Sequence, residues 1–258
     1  HLFPHQKDSV NLAMQKFKEE GEKGFILADG TGTGKTRQAL ALAQTFLETM
    51  DANKPIIIVT ESDSILQGTW LKEKGDAEVM GLKINNAKIN GFIPGMINIT
   101  TYSRADQVRD LPNKGLLIFD EAHNLKNMDG KQAQALTEAM KNSDHVFNCT
   151  ATPMDKIEHI DYLCESLNMD VEQTTKAVKG KTAIDTALNL TSLFDDITRK
   201  GLMIKREVPF DNLEVNITGV KLSKENQKRL DKLLAQAKEK NNLADYPKIR
   251  RFLEEFKV

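Results

Sequence analysis

Hydrophobic residues recur along this chain in two rhythms. Five short stretches are continuously apolar: GFILADG from Gly24, PIIIVT at 55–60, INITTY at 97–102, LLIFDE at 116–121 and HVFNCTA at 145–151. Unbroken runs rich in Ile and Val suit parallel strands buried on both faces, where alternation is not needed. Between them apolar residues return at helical spacing. Val10, Ala13, Met14 and Phe17 follow Pro4, an RQALALAQTFLETM stretch begins at Arg37, and Ile65, Leu66, Thr69 and Trp70 form one face. Ile157, Ile160, Leu163, Cys164 and Leu167 form another stripe, and 171–200 reads as helical. The alternation predicts an α/β fold, a mostly parallel sheet covered by helices on both faces. The turn-rich stretch between Lys72 and Gly95 predicts a small hairpin around Asn85-Asn86. After residue 200 the pattern is extended around turns, then helical and basic from Lys224 to Val258. The expected organisation is an α/β lobe over 1–170 and a helical and extended segment over 171–258.

The chemistry gathers where the apolar runs stop. Ala28 to Thr36 reads ADGTGTGKT, between a predicted strand and a predicted helix. That is the setting of a phosphate-binding loop, in which near-bare backbone and a helix N-terminus converge on an anion. Gly30, Gly32 and Gly34 supply the bareness, with Thr31 and Thr33 between them. Lys35 is placed to reach β and γ phosphates, and the Thr36 hydroxyl to hold Mg²⁺. The strict pattern would put glycine where Asp29 stands. A second GKT, at Gly180 to Thr182, lacks a preceding buried strand and further glycines, and is set aside.

Asp120-Glu121-Ala122-His123 follows the fourth apolar run. A carboxylate at a strand end facing a phosphate loop can hold Mg²⁺, and its neighbour can take a proton from water. Standing alone, the same pair would suit an exposed helix start. Thr150 and Thr152, in the TATP after the fifth run, are placed to hydrogen-bond to this segment.

Composition narrows the field without choosing a function. With 258 residues and 40% hydrophobic content the chain can bury a full core. A net charge of −1 advertises no global field for nucleic acid, so any such surface is local. The two cysteines, Cys149 and Cys164, make neither a disulfide framework nor a metal-ligand spacing. No run approaches the roughly twenty apolar residues of a membrane span, and the start lacks a signal-peptide pattern. A cytoplasmic or nucleoid-associated protein is expected, nuclear or virion-borne in a eukaryotic or viral setting.

In this order the motifs resemble the first RecA-like lobe of superfamily-2 helicases and translocases, most closely the Swi/Snf-like branch. FPHQ resembles the Q motif, ADGTGTGKT motif I, IIIVTESDSILQGTW motif Ia, ITTYS motif Ib, FDEAH motif II and TATPM motif III. The DGTGTGK wording is also similar to strawberry-notch-like helicases of phages and large viruses. The resemblance implies that Gln6 reads adenine, with residues 29–36 binding ATP. It implies that Thr60, Ser64, Thr101 and Tyr102 lie near a nucleic-acid backbone, with duplex DNA expected ahead of RNA. His123, Thr150 and Thr152 would couple the γ-phosphate to lobe closure. The Lys205-Arg206 pair resembles the passage leading towards a second lobe. Motif VI has no counterpart here, and a missing arginine finger removes roughly 10³ to 10⁵ in rate. The expectation is the ATP-binding lobe of a longer motor, a weak ATP hydrolase alone. A nucleotide-dependent switch or scaffold that does not translocate would use the same residues.

Overall fold

A computed structural model describes residues 2–50, 53–72, 75–126, 130–153 and 160–206. Seven strands form one sheet: β1 Gly24–Leu27, β2 Ile56–Thr60, β3 Ile84–Asn86, β4 Ile97–Thr101, β5 Lys114–Asp120, β6 Ser143–Cys149 and β7 Met203–Ile204. Their order is β3-β4-β2-β5-β6-β1-β7, and every neighbouring pair is parallel. The longer helices are α1 Pro4–Lys18, α2 Lys35–Thr49, α3 Gly130–Lys141, α4 Ile160–Leu167, α5 Val171–Val178 and α6 Ala183–Arg199.

The five strands expected from apolar runs are all present, and β2 is buried at every position. Successive residues point to opposite faces, so each strand feeds two cores. Phe25, Ile56, Ile58 and Phe147 join Phe17 of α1 and Leu40 and Phe46 of α2 on one side. Ile57, Val59, Leu117 and Val146 join Leu136 and Met140 of α3 on the other. Burying each such large side chain contributes about 1.5–3 kcal/mol.

Three sequence expectations change. Asn85 and Asn86 belong to no hairpin: β3 runs parallel to β4 as an edge strand, with Ile84 level with Ile97. The crossover that parallel pairing requires is short, residues 87–96, and includes the single helical turn Ala87–Asn90. Asn85 Nδ2 donates to Asn98 Oδ1 at 2.8 Å and to the Gly91 carbonyl at 2.7 Å, which satisfies the buried amides and fixes that edge.

The stretch after β2 is not one regular helix. One turn, Asp63–Ile65, passes into a π-helical segment, Leu66–Trp70, closed by Leu71 N–H donating to the Leu66 carbonyl at 3.0 Å. The wider turn buries Leu66 and Trp70 and leaves Thr69 exposed.

The α/β unit also continues past residue 170. Ile197 of α6, Leu202 and Met203 pack against Ile26 of β1, and β7 pairs with β1. The chain divides into a compact unit His1–Val208 and a second, Pro209–Val258. The expected basic helix from Lys224 lies outside the described residues, as does Ile157 of the predicted stripe. Thr182 of the second GKT caps α6, its hydroxyl accepting from Asp185 N–H at 3.1 Å.

Candidate nucleotide-binding site

Strand order and register create the site. Leu27 is level with Cys149, Cys149 with Asp120, and Val59 with Phe119. The carboxyl ends of β2, β5, β6 and β1 therefore finish side by side at one sheet edge. Ligands collect at such an edge in open parallel sheets.

The loop after β1 reaches α2 through two left-handed glycines, Gly32 at φ 85° and Gly34 at φ 78°. Gly34 occupies the N-cap position of α2. Inside the loop, Thr33 Oγ1 donates to the Gly30 carbonyl at 2.9 Å. Thr33's own carbonyl accepts from Gln6 Nε2 at 3.0 Å, His5 Nε2 at 3.2 Å and Gln38 Nε2 at 3.5 Å. An oxygen so engaged is not free to turn on an approaching anion. Lys35 Nζ lies across the loop, donating to the carbonyls of Asp29 at 3.0 Å and Gly30 at 3.2 Å. Thr36 is half-buried in the first turn of α2, and Thr31 is exposed on the loop.

Gln6 lies behind the phosphate loop. It is 3% exposed, and its amide faces the protein, Oε1 accepting from Phe3 N–H at 3.0 Å while Nε2 holds Thr33. It fastens α1 to the phosphate loop.

Asp120 ends β5 with its carboxylate oriented through one oxygen. Oδ2 accepts from Thr60 Oγ1 at 2.9 Å and from Trp70 Nε1 at 3.1 Å. Burial pushes this carboxyl up, the two hydrogen bonds oppose that, the Glu121 charge adds to it, and the Lys35 ammonium opposes it. Tyr102 donates its hydroxyl to the Asp120 carbonyl at 2.8 Å and stacks on Phe119 with centroids 6.1 Å apart.

Glu121 adopts φ 50°, a left-handed conformation costing a residue with a Cβ about 1–2 kcal/mol. Such outliers concentrate at functional sites. Its Oε2 lies 3.2 Å from His123 Nδ1, which lies 3.3 Å from Thr150 Oγ1. Thr152 N–H also donates to Thr150 Oγ1, at 3.2 Å. The sequence-derived set Glu121, His123, Thr150 and Thr152 is thus one connected cluster.

The expected nucleic-acid residues divide differently. Thr60, Thr101 and Tyr102 are buried, at 0%, 4% and 5% exposure. Thr60 and Tyr102 brace Asp120, and Thr101 Oγ1 pairs with Ser103 Oγ at 2.8 Å. Thr60 and Tyr102 thus point at Asp120, while the Thr101 hydroxyl meets the exposed Ser103. Ser64 alone of the four is exposed. Sequence reasoning missed Trp70, whose available signal was its place behind a strand end, and His5, which precedes Gln6.

Comparison with known proteins fits this edge. The sequence model of the family ResIII, "Type III restriction enzyme, res subunit", matches residues 1–155. The chain belongs to this family. The ResIII lobe is a first RecA-like ATPase lobe of superfamily 2, of the Swi/Snf-like branch. It is 33% identical over 157 residues to DNA repair and recombination protein RAD54B of Mus musculus, covering 53% of this chain and 17% of that protein. With the RAD54-like protein of Homo sapiens it shares 28% over 183 residues, 61% of this chain and 24% of the relative. It therefore spans about a quarter or less of these two relatives. The Sulfolobus solfataricus SWI2/SNF2 ATPase core in complex with dsDNA superposes with a TM-score of 0.61 at 18% identity, covering 98% of this chain and 58% of that one. At that identity the likeness is one of fold.

Proposed function

We propose that this lobe binds ATP with Mg²⁺ and serves as the amino-terminal motor lobe of a DEAH-box-type helicase or double-stranded DNA translocase. The observation that carries the reading is the meeting of the phosphate loop, Asp120, and the Glu121-His123-Thr150 cluster at one sheet edge. Relatives named for DNA repair and recombination, and a fold neighbour in complex with dsDNA, support DNA as the track.

The residues suit magnesium. Mg²⁺ prefers one or two carboxylates among phosphate and water oxygens, so a clustered all-protein cage is not required. Asp120 offers a half-buried carboxylate with Oδ2 already held, and Thr36 a hydroxyl at the start of α2. When bound, the ion supplies charge neutralisation on the phosphates.

Lys35 exchanges the Asp29 and Gly30 carbonyls for β and γ phosphate oxygens, while backbone N–H groups of the 30–36 loop and the α2 terminus take the rest. Glu121 accepts the proton of the attacking water. His123 lies between Glu121 and Thr150, so a change of charge at the γ-phosphate alters the bonds that hold the segment after β6. Closure against a second RecA-like lobe, in the same full-length chain, completes the site with cationic residues. Exposed Ser64 stays a candidate for backbone contact. Action on DNA places the protein with the nucleoid or in the nucleus.

The test is ATP turnover with and without double-stranded DNA, for this chain and for the full-length protein. The full-length protein is expected to respond strongly to DNA, and this chain weakly. Glu121→Gln should keep ATP binding and lose about 10²–10⁴ in turnover, and Lys35→Ala should weaken binding. Turnover indifferent to DNA favours the switch that does not translocate. Glu121→Gln turning over at the unaltered rate removes Glu121 from the chemistry.

A further inference from the structure

The steps above use neither the buried Asp29 carboxylate nor Arg206. Asp29 is 0% exposed, and neither of its carboxylate oxygens has a hydrogen bond of sound geometry. An uncompensated buried charge is costly, so such a group needs a counter-charge or a proton. Arg206 supplies the counter-charge: its Nε lies 3.5 Å from Asp29 Oδ1. Burial raises the Asp29 carboxyl above the ordinary carboxylate range, and the Arg206 charge pulls it back, with Gln38 and His5 alongside.

The backbone brings Arg206 there. Ladder bonds run from Ile26 N–H to the Leu202 carbonyl at 2.9 Å and from Ala28 N–H to Ile204 at 2.7 Å. They continue beyond β1 itself, with Gly30 N–H donating to the Arg206 carbonyl at 2.8 Å. The first residues of the phosphate loop are therefore edge-paired to the segment after β7. The same guanidinium donates through Nη1 to the His5 carbonyl at 2.5 Å and through Nη2 to Ser9 Oγ.

These contacts close a ring. His5 and Gln6 of α1 hold the loop at Thr33, while Arg206 holds the same helix to the loop at Asp29. The planar guanidinium fork is suited to bridging a carboxylate, a carbonyl and a hydroxyl together, as an ammonium is not. Lys35, when it leaves the Asp29 and Gly30 carbonyls for phosphate, removes two bonds from the loop entry. Arg206 remains as its anchor.

We propose that Arg206 is a positioning residue of the nucleotide site, fixing the loop entry against α1 by neutralising Asp29, so that nucleotide affinity depends on the Arg206–Asp29 pair. The inference rests on the ATP reading above. It adds a residue from beyond the family match at 1–155 to a site otherwise built within that match.

The test compares the unaltered chain with Arg206→Gln, Arg206→Lys, Asp29→Asn and the Arg206→Gln/Asp29→Asn double variant. A fluorescent ATP analogue is titrated with Mg²⁺, and thermal midpoints are measured without nucleotide. Arg206→Gln should weaken binding about tenfold to a hundredfold, since it strands a buried carboxylate. Arg206→Lys should fall between, keeping the charge without the fork. The double variant should recover most of the affinity, because an amide needs no counter-charge. If Arg206→Gln does not fold, the double variant still decides: it should fold and bind better than any variant retaining Asp29 without Arg206. Binding by Arg206→Gln equal to the unaltered chain overturns the proposal, as does a double variant no better than Arg206→Gln. If the unaltered chain itself fails to bind the analogue, the ATP reading falls and this proposal with it.

Discussion

Gly34→Ala puts the seat of the phosphate loop to a quantitative test. Gly34 has φ 78°, and a Cβ there would stand 2.3 Å from Gln6 Nε2. Alanine in the left-handed region costs about 1–2 kcal/mol. The clash adds a separate cost, because Gln6 is not a loose surface side chain but is 3% exposed and bonded at both ends of its amide. Displacing it loses one or two hydrogen bonds, each worth about 1 kcal/mol net. Thr33 O retains His5 and Gln38 as donors, so it is not orphaned. The sum is about 2–4 kcal/mol. For a unit of this size that lowers the melting temperature by about 5–15 °C, at roughly 2–4 °C per kcal/mol.

Gly32→Ala is the control. Gly32 has φ 85°, but a Cβ there meets nothing within 4 Å, so only the backbone cost applies. Thermal unfolding followed by circular dichroism should rank Gly34→Ala below Gly32→Ala. In a Gln6→Ala background the clash is gone, and the added cost of Gly34→Ala should shrink by about 1–2 kcal/mol. Equal penalties for Gly34→Ala in the two backgrounds would refute the idea that Gln6 seats the loop.

Two further outcomes are expected. Thr60→Val and Trp70→Phe each remove one donor from Asp120 Oδ2 while keeping most of the packing. Each should raise the Mg²⁺ concentration needed for nucleotide binding about tenfold, and an unchanged Mg²⁺ titration in both would show that neither donor orients the carboxylate. His145 lies against Phe17 and Phe46, with ring centroids 4.6 Å and 5.7 Å away, and its Nδ1–H donates to the Glu22 carbonyl. Burial holds its pKa below the usual 6.5, so the unfolded chain takes up a proton at a higher pH than the folded one. The stability from neutral His145 is complete above about pH 6.5 and is lost as pH falls towards the folded value. His145→Phe should flatten the decline in melting temperature between pH 7 and 5, and parallel declines would assign the acid sensitivity elsewhere.

The legible parts of the fold were those written locally. β1, β2, β4, β5 and β6 are interior strands of a parallel sheet, buried on both faces, and therefore read as apolar runs. β3 and β7 are the two edge strands, three and two residues long, and one carries Asn85 and Asn86. Elements that short leave no periodic signal. The phosphate loop and the Asp120-Glu121-His123 segment were legible for the same local reason, since the chemistry fixes neighbouring residues. That Thr60 and Tyr102 sit buried against Asp120 was not legible, because a residue at a strand end faces either the ligand side or the interior. The choice depends on partners that sequence spacing does not reveal.

The layer behind the site was illegible for a reason the register makes plain. Asp120 is braced by Thr60 and Trp70, which belong to the end of β2 and the π-turn following it, 60 and 50 residues earlier in the chain. Those donors reach it because β2 lies beside β5 with Val59 level with Phe119. A strand order that put β4 beside β5 would offer the end of a different strand to the same carboxylate. Arg206 depends likewise on β7 lying at the edge next to β1, which carries the segment after it along the start of the phosphate loop. The residues expected to touch nucleotide are therefore specified by short motifs, whereas those that hold them are specified by neighbour order in the sheet. A substitution that shifts the β2 or β7 register should damage the site while leaving every motif residue in place.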